Sequence, residues 1–515
     1  MTPFPCPLDA IIVTAEEMRQ VEERLFAAGM PVAALMEKAA GLIAARIGQG
    51  FPVKQFPEVG ILVGPGHNGG DALVVARELW IAGYKVSIFS PFAQLKALTA
   101  SHFRYIQHLN IPIYSSLEAL ASCDLIVDGL FGFGLTRSLT KDIAQAVQTL
   151  NQWGKTVVSI DLPSGLHTDT GEVLGIAVKA TLSLCLGLWK CGYFQERALC
   201  YLGQSERIDL GISPSDVAAV LSSSPLRQAV TSAIARQYLP LPRPLVTHKY
   251  QQGHLLLICG SRRYGGGAIL AGLAARASGV GMLSIAVPAY LKPLMLSHLP
   301  DALIIDCPET DDGAIAALPE IAADFTQYQV VACGPGLTVE AKSIVEQTLK
   351  ANRPLILDAD ALNIVAQLGT ESTLQKRTAP TILTPHRGEF KRLFPSAGES
   401  WDSLKAAAHN SQSIILLKGS KTVIANPQGS LRIIAESTPA LARGGSGDVL
   451  TGLMGGLLAQ NFDLGCDSIE TIATAAYLHA QAGMMAASDR TELGVDAHTL
   501  TDYLIPSLKK MVEQF

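Results

Sequence analysis

The stretch "VGILVGPGHNGGDALVVARELWIAGYKVSIFS", Val59 to Ser90, decides the fold. "VGILVG" is a short continuous apolar run rich in branched residues, the pattern of a strand buried on both faces. "DALVVARELWIAG" reads as a helix and "KVSIFS" as a second strand. Between the first strand and the helix lies a glycine cluster, "GPGHNGG". There the backbone can approach a ligand closely, and the helix start offers unpaired N–H groups. Strand, glycine turn, helix and strand make one parallel βαβ unit.

The pattern continues in both directions. Upstream, "TAEEMRQVEERLFAAG" opens with Thr14 and Glu17 at capping-box spacing and closes on Gly29, and "VAALMEKAAGLIAARIG" follows Pro31. Downstream come helical "LKALTASHFRYIQHL", strand "DLIVDGLFG", helix "KDIAQAVQTLNQW" and strand "TVVSIDLPSG". Apolar strands alternating with amphipathic helices predict a parallel sheet covered on both faces, an α/β fold of three αβα layers. Such sheets bind ligands at the carboxyl ends of their strands. Around Leu210 the alternation breaks, and "GISPSDVAAVLSSSPLRQ" and "LPLPRPLVTHKYQQGH" are rich in Ser and Pro. This places a domain boundary near residue 226, dividing the chain into 1–226 and 227–515. Alternation then restarts with "HLLLICG", "AILAGLAARASG", "MLSIAVP", "VVACGPG", "PLILDAD", "TILTPH" and "SIILLKG". The C-terminal third is expected to be helical.

The chain has 515 residues, too many for one ordinary core. It is 48% hydrophobic and 17% charged, with a net charge of −5, so it carries no electrostatic footprint for nucleic acid. A nucleotide held by backbone amides needs no such footprint. The nine cysteines form no Cys-x-x-Cys pair, and Cys185, Cys259 and Cys333 sit in apolar runs, which predicts buried reduced thiols. The N-terminus lacks the pattern of a signal peptide and no run is long enough to span a bilayer, so a cytoplasmic location is expected.

Two further loops join the first glycine cluster. "VDGLFGFGLTRS" puts Asp128 at a strand end, and "SIDLPSGLHTDTG" puts Asp161 at another, with Ser164 close behind. One strand-end Asp is most often a turn or helix cap, but three polar strand ends share one crevice here. Carboxylate, amide and hydroxyl oxygens also suit a hard cation. "MEKAAG", "GPGHNGGDAL", "VDGLFGFGL" and "IDLPSGLHTDTG", in this order and spacing, resemble the NAD(P)H-hydrate epimerase family over roughly the first two-fifths of the chain. The resemblance implies a Rossmann-like domain with potassium on Asn68, Asp128 and Ser164. It places the hydrated cofactor against His67, Asn68, Gly69, Gly70 and Asp71. Further contacts fall on Gly132, Phe133, Gly134, Leu135, Thr136, Arg137 and Ser138, with Asp161 as catalytic residue. The chain departs from the family pattern at Lys38, His67 and Ala72.

The C-terminal part carries "GSRRYGGGAILAG", "CGPGLT", "LDADALN", "TPHRGEFKRL", "LKGSKTVI" and "GGSGDVLTG". In the last of these a glycine-lined helix start can hold the charge of a transferring phosphoryl group. Asp448 beside it can take a proton from a substrate hydroxyl, or it can simply cap its own helix. The set resembles the ADP/ATP-dependent NAD(P)H-hydrate dehydratases, of ribokinase-like fold, from about residue 240 onward. The chain departs from that pattern at Arg387. The resemblance implies hydrate contacts at Ala268, Gly336, His386 and Asp448, the last catalytic. It implies nucleotide contacts at Lys418, Gly419, Ser420, Lys421, Thr422 and Gly447, with Mg2+ accompanying ADP. For Asp358 and Asp360 a structural and a catalytic role stay equally open. Together the resemblances imply a bifunctional isomerase and lyase. It would act on hydrated NADH and NADPH with ADP, as a homo-oligomer without nucleic-acid or membrane partners. Two rivals stand beside this reading: a ribokinase-like vitamin or sugar kinase fused to a nucleotide-binding domain, and a non-catalytic protein-binding module.

Overall fold

Each of two units, Met1–Ser224 and Pro225–Phe515, is built on its own mainly parallel sheet. The computed structural model describes residues 7–221, 227–465 and 467–513. The expected boundary at residue 226 lies just outside the described residues.

In the first unit α1 (Ala15–Ala27) begins with the expected capping box: the Thr14 hydroxyl accepts from the Glu17 amide at 3.2 Å, and Glu17 accepts from the Thr14 amide at 2.7 Å. Then follow α2 (Val32–Gly50), β1 (Glu58–Val63), α3 (His67–Ile81), β2 (Lys85–Phe89), β3 (Ile113–Tyr114) and β4 (Leu125–Gly129). β5 (Thr156–Ile160), β6 (Leu182–Leu186) and β7 (Gln204–Ile208) complete the set. The strands are all parallel, in the order β3-β2-β1-β4-β5-β6-β7. The chain runs outward from β1 to one edge, then returns to the other side of β1 for β4. That reversal opens a crevice at the carboxyl ends of β1 and β4. A two-residue ribbon, Ile12–Val13 beside Trp189–Lys190, ties the segment before α1 to the segment after β6.

In the second unit the strands are β8 (Arg227–Ala229), β9 (His254–Ile258), β10 (Met282–Pro288), β11 (Leu303–Cys307) and β12 (Val330–Cys333). They continue with β13 (Leu355–Leu357), β14 (Thr381–Leu383), β15 (Ile414–Leu417), β16 (Thr422–Ala425) and β17 (Leu431–Ile434). Their order is β8-β17-β16-β15-β14-β13-β12-β9-β10-β11, and only β16 runs antiparallel to its neighbours. Four residues, Lys418 to Lys421, separate β15 from β16, far fewer than a parallel crossover needs, so the chain turns back as a hairpin. The expected helical C-terminal third is therefore reached only after Ile434. There α5 (Ser446–Asn461) lies on α4 (Gly265–Ala277) and α6 (Ser468–Arg490) follows. α5 is apolar on nearly every face, and its Val449, Leu453, Met454 and Leu457 join the core with Ala271, Ala274 and Ala275 of α4. Among the described residues no helix is long and apolar enough to cross a membrane.

Candidate functional site

The loops after β1, β4 and β5 meet at the crevice of the first sheet. Close packing brings them there: a Cβ on Gly69 would lie 1.9 Å from the Gly64 carbonyl oxygen, so α3 can start against the end of β1 only with glycine at that place. The loops enclose a cavity of about 650 Å³. His67, Asn68, Asp71, Asp161 and the whole loop Gly132–Arg137 line it, whereas Gly69, Gly70 and Ser138 do not.

Asp161 is the most constrained residue there. Its backbone is left-handed, with φ of +66°, a conformation that costs a non-glycine residue about 1–3 kcal/mol. Its Oδ2 accepts from the Phe133 amide at 2.8 Å, and its Oδ1 from Lys190 Nζ at 2.6 Å and the Leu186 amide at 3.3 Å. The Tyr193 hydroxyl donates to its backbone carbonyl. Lys190 is itself 1% exposed, and Asp161 supplies the charge that keeps its ammonium ionised despite burial.

Asp128 lies deeper, fully buried. Parallel register sets Ser159 beside it, and the Ser159 hydroxyl donates at 2.9 Å. The Ser164 hydroxyl and amide donate at 2.7 and 2.9 Å, and the Leu130 amide at 3.3 Å. All these donors are neutral, and burial raises the carboxyl above its ordinary value. Nearby, Asn68 Nδ2 is buried with no hydrogen-bond partner. A Cβ on Gly132 would lie 3.0 Å from Asn68 Oδ1 and 3.2 Å from Asp161 Oδ2, so the space between these two groups is kept clear by a glycine.

Four carboxyl groups line this cavity: Glu22 and Glu23 of α1, Asp71 of α3 and Asp161. Burial pushes Glu22 up to about 7 and Asp71 well above the carboxylate range. His67 is held below its ordinary value by burial and by Lys96, so it is neutral. Glu22 and Lys190 were not found by sequence reasoning. The only available signal for Lys190 was a lysine inside the apolar run "LGLWKCGYF". The departures from the family pattern fit locally. Lys38 Nζ donates to the Leu210 carbonyl at 2.7 Å, and the methyl of Ala72 packs where position 129 is glycine.

In the second unit the ends of β9, β12, β13, β14 and β15 converge on the start of α5. Gly445 caps that helix in a left-handed conformation, φ +93°, and Asp448 follows in the first turn. Asp448 Oδ2 and the Gly336 amide lie 3.0 and 3.1 Å from the point that a Cβ on Gly267 would occupy, so α4, the β12 loop and α5 face one space. Ala268 is buried in the first turn of α4 beneath it. Burial pushes Asp448 up to about 7; Asp358 adds to the shift and Lys418 opposes it. Lys418 Nζ binds Asp358 Oδ1 at 2.8 Å, and the Thr451 hydroxyl donates to Asp358 Oδ2 at 2.8 Å. The fully buried Asp358 is thus held ionised below its ordinary value, and it fixes Lys418 beside Gly447. His479 Nε2 donates to the Ser446 carbonyl at 2.9 Å, and burial pushes the ring down to about 4, so it anchors α5 as a neutral group.

His386 caps the helix Arg387–Leu393, accepting from the Gly388 amide at 2.9 Å, and its backbone bridges to Lys418. Gly419, Ser420 and Lys421 form the hairpin turn and Thr422 opens β16; the Lys421 ammonium binds the Ala435 carbonyl. The site joins a carboxyl group that titrates near neutrality, a fixed ammonium and a glycine-lined helix start. A general base beside a stabilising field for phosphoryl oxygens has these parts.

A family model described as NAD(P)H-hydrate dehydratase matches residues 255–506, and one described as YjeF-related protein N-terminus matches residues 32–192. The bifunctional NAD(P)H-hydrate repair enzyme of Synechocystis is 54% identical over 503 residues, 97% of this chain and 95% of that protein. That of Thermosynechococcus vestitus is 50% identical over 510 residues, 98% of each. Among solved structures, the ADP/ATP-dependent NAD(P)H-hydrate dehydratase from Bacillus subtilis, co-crystallised with ATP/Mg2+, is 32% identical. That match covers 55% of this chain and 97% of the other, with a TM-score of 0.46.

Proposed function

Because this chain belongs to the family of bifunctional NAD(P)H-hydrate repair enzymes, we propose that it restores hydrated NADH and NADPH in two steps. Residues 1–226 epimerise the R and S hydrates. Residues 227–515, the ribokinase-like part, dehydrate the S form at the expense of ADP, giving AMP and phosphate. The observation that carries the reading is Asp448, a buried carboxyl group poised near 7 at a glycine-lined helix start beside Lys418. Hydroxide is a poor leaving group and phosphate a good one. Asp448 takes the proton of the ring hydroxyl while that oxygen attacks the terminal phosphoryl of ADP. Lys418, Gly447 and the amides around them stabilise the phosphoryl oxygens. Phosphate then leaves with the C–O electron pair, the adjacent carbon gives up a proton, and the dihydropyridine double bond returns.

Ala268, Gly336 and His386 join Asp448 around the S hydrate, and Lys418 to Thr422 with Gly447 hold ADP. In the first unit the hydrate occupies the cavity at Asp161, against His67, Asn68, Asp71 and Gly132 to Arg137. Asn68, Asp128 and Ser164 suit potassium through their oxygens, since Asp128 is a buried carboxyl group whose hydrogen-bond donors are all neutral. Such an ion would supply a fixed positive charge beneath the hydrate; Mg2+ would come with ADP. The setting proposed is the cytoplasm, and the assembly a homo-oligomer, which light scattering checks. The central test incubates the protein with mixed R and S hydrates, with and without ADP, and follows NADPH absorbance. Complete recovery that requires ADP is expected. A stable phosphorylated product would instead establish a kinase, and recovery of the S form alone would remove the epimerase.

A further inference from the structure

On the α1 side of the first cavity lies Glu22, a carboxyl group that takes no part in the chemistry assigned to Asp161. Glu22 lines the same cavity as Asp161, but the two are held differently. Asp161 is bound by a buried lysine and two amides. Glu22 is partly buried and accepts no hydrogen bond among the described residues. The charged groups that act on it are Lys190, Asp161 and Arg19, and Asp71 and the neighbouring Glu23 line the same cavity. On the helix Pro214–Leu221, which packs against α1, Asp216 faces Arg24 at 3.6 Å. Burial dominates these effects and keeps a large fraction of Glu22 protonated at neutral pH. Among the carboxyl groups of this cavity, one tied to a lysine and another desolvated and without a hydrogen bond are set for opposite proton tasks.

The chemistry of epimerisation asks for such a pair. Water adds to a dihydronicotinamide at the ring carbon beside the nitrogen. The stereocentre therefore carries a hydroxyl and is bonded to an atom with a lone pair. Inverting it means losing the hydroxyl as water and taking water back on the other face. The departing hydroxyl needs a proton, and the incoming water must give one up.

Resting on the epimerase reading, we propose that Glu22 is a second catalytic residue of the first unit: it protonates the departing hydroxyl, and the Asp161 carboxylate deprotonates the water that adds to the opposite face. In the first step the C–O bond breaks with its pair on oxygen, the Glu22 proton completes a water molecule, and the ring nitrogen lone pair closes a C=N bond. In the second, water forms the new C–O bond, the C=N pair returns to nitrogen, and the proton goes to Asp161. Asp161 then loses that proton to solvent and Glu22 takes one up, which closes the balance without any co-reactant. In the reverse direction the two roles exchange.

The test measures R-to-S conversion by the full chain without ADP, with the epimers separated chromatographically and the spontaneous rate subtracted. Glu22→Gln is expected to slow conversion about 100-fold or more. The wild-type rate is expected to fall as pH rises past about 7, because the acid form is lost. That alkaline limb should vanish in Glu22→Gln and reappear, with part of the rate, in Glu22→Asp. Dehydration of pure S hydrate with ADP should continue in every variant, and equilibrium dialysis should show the hydrate still bound to the first unit. A Glu22→Gln protein with the wild-type rate and alkaline limb overturns the role of Glu22 and leaves the epimerase standing. Gln and Asp variants that both lose hydrate binding overturn it as well, in favour of a structural role. A wild-type chain that epimerises nothing overturns the underlying reading and this proposal together.

Discussion

Asp448 and Asp161 each lie close to a lysine ammonium, yet the local bonding sets them apart. Lys190 is spent on Asp161 itself, whereas Lys418 is spent on Asp358 and leaves Asp448 to the effect of burial. Asp448 is therefore the group whose titration should control dehydration. As a base it would work only when ionised, so the ADP-dependent rate should rise as pH climbs through about 7 and level off above it. Asp448→Asn should lower that rate by about two to four orders of magnitude and abolish its pH dependence, with epimerisation unchanged. The recovery of NADPH absorbance from pure S hydrate, followed against pH, checks both. Asp161→Ala should stop R-to-S conversion, so that a mixture with ADP is consumed only in its S fraction. Consumption of both epimers at the wild-type rate, after correction for spontaneous exchange, would withdraw Asp161. Replacing potassium by a bulky organic cation should slow epimerisation, measured in the same assay without ADP.

At the scale of elements, the second site depends on how closely α5 approaches α4. A Cβ on Gly452 would lie 1.9 Å from the Ala271 carbonyl oxygen, and backbone cannot swing aside as a side chain can. Gly452→Ala should force the helices apart and cost about 1–3 kcal/mol. Gly444→Ala, with nothing within 4 Å, should leave the melting temperature of the dehydratase part unchanged. Calorimetry on the pair of variants checks this, and equal melting temperatures would count against the tight-contact account. The elements themselves were largely legible in the chain, because buried strands are continuous apolar runs and α1 announces its start through Thr14 and Glu17. The strand-end carboxylates Asp128 and Asp161 were legible for the same reason. The partner of β8 was not, since β17 lies about two hundred residues downstream and pairing at that distance leaves no local trace. Lys190 and Glu22 were hidden likewise. A lysine in an apolar run and a glutamate on an acidic helix face acquire meaning only when the Ile12–Val13 ribbon and α1 bring the lysine to Asp161 and the glutamate to the cavity that Asp161 lines.

At the scale of the molecule, the division of labour follows from two sheets that share no strand and two sites that share no residue. Each unit exceeds two hundred residues, enough to bury its own core. Repair then needs no contact between the sites, because the S hydrate released by one is a diffusible substrate for the other. The chain cut into residues 1–226 and 227–515 should therefore give two soluble pieces. The first alone should equilibrate the epimers without consuming them. The second alone, with ADP, should consume the S fraction and then slow to the spontaneous rate of epimerisation. Mixed, they should consume the whole, and the rate should follow the concentration of free S hydrate rather than the extent to which the pieces associate. Dilution separates these cases: it would leave a diffusing intermediate pathway proportional to each enzyme's concentration, whereas a required complex would make the rate fall with the product of the two. Pieces that are insoluble or inactive apart, although the intact chain repairs both epimers, would show that each core needs the other and would refute the independence argued from the two sheets.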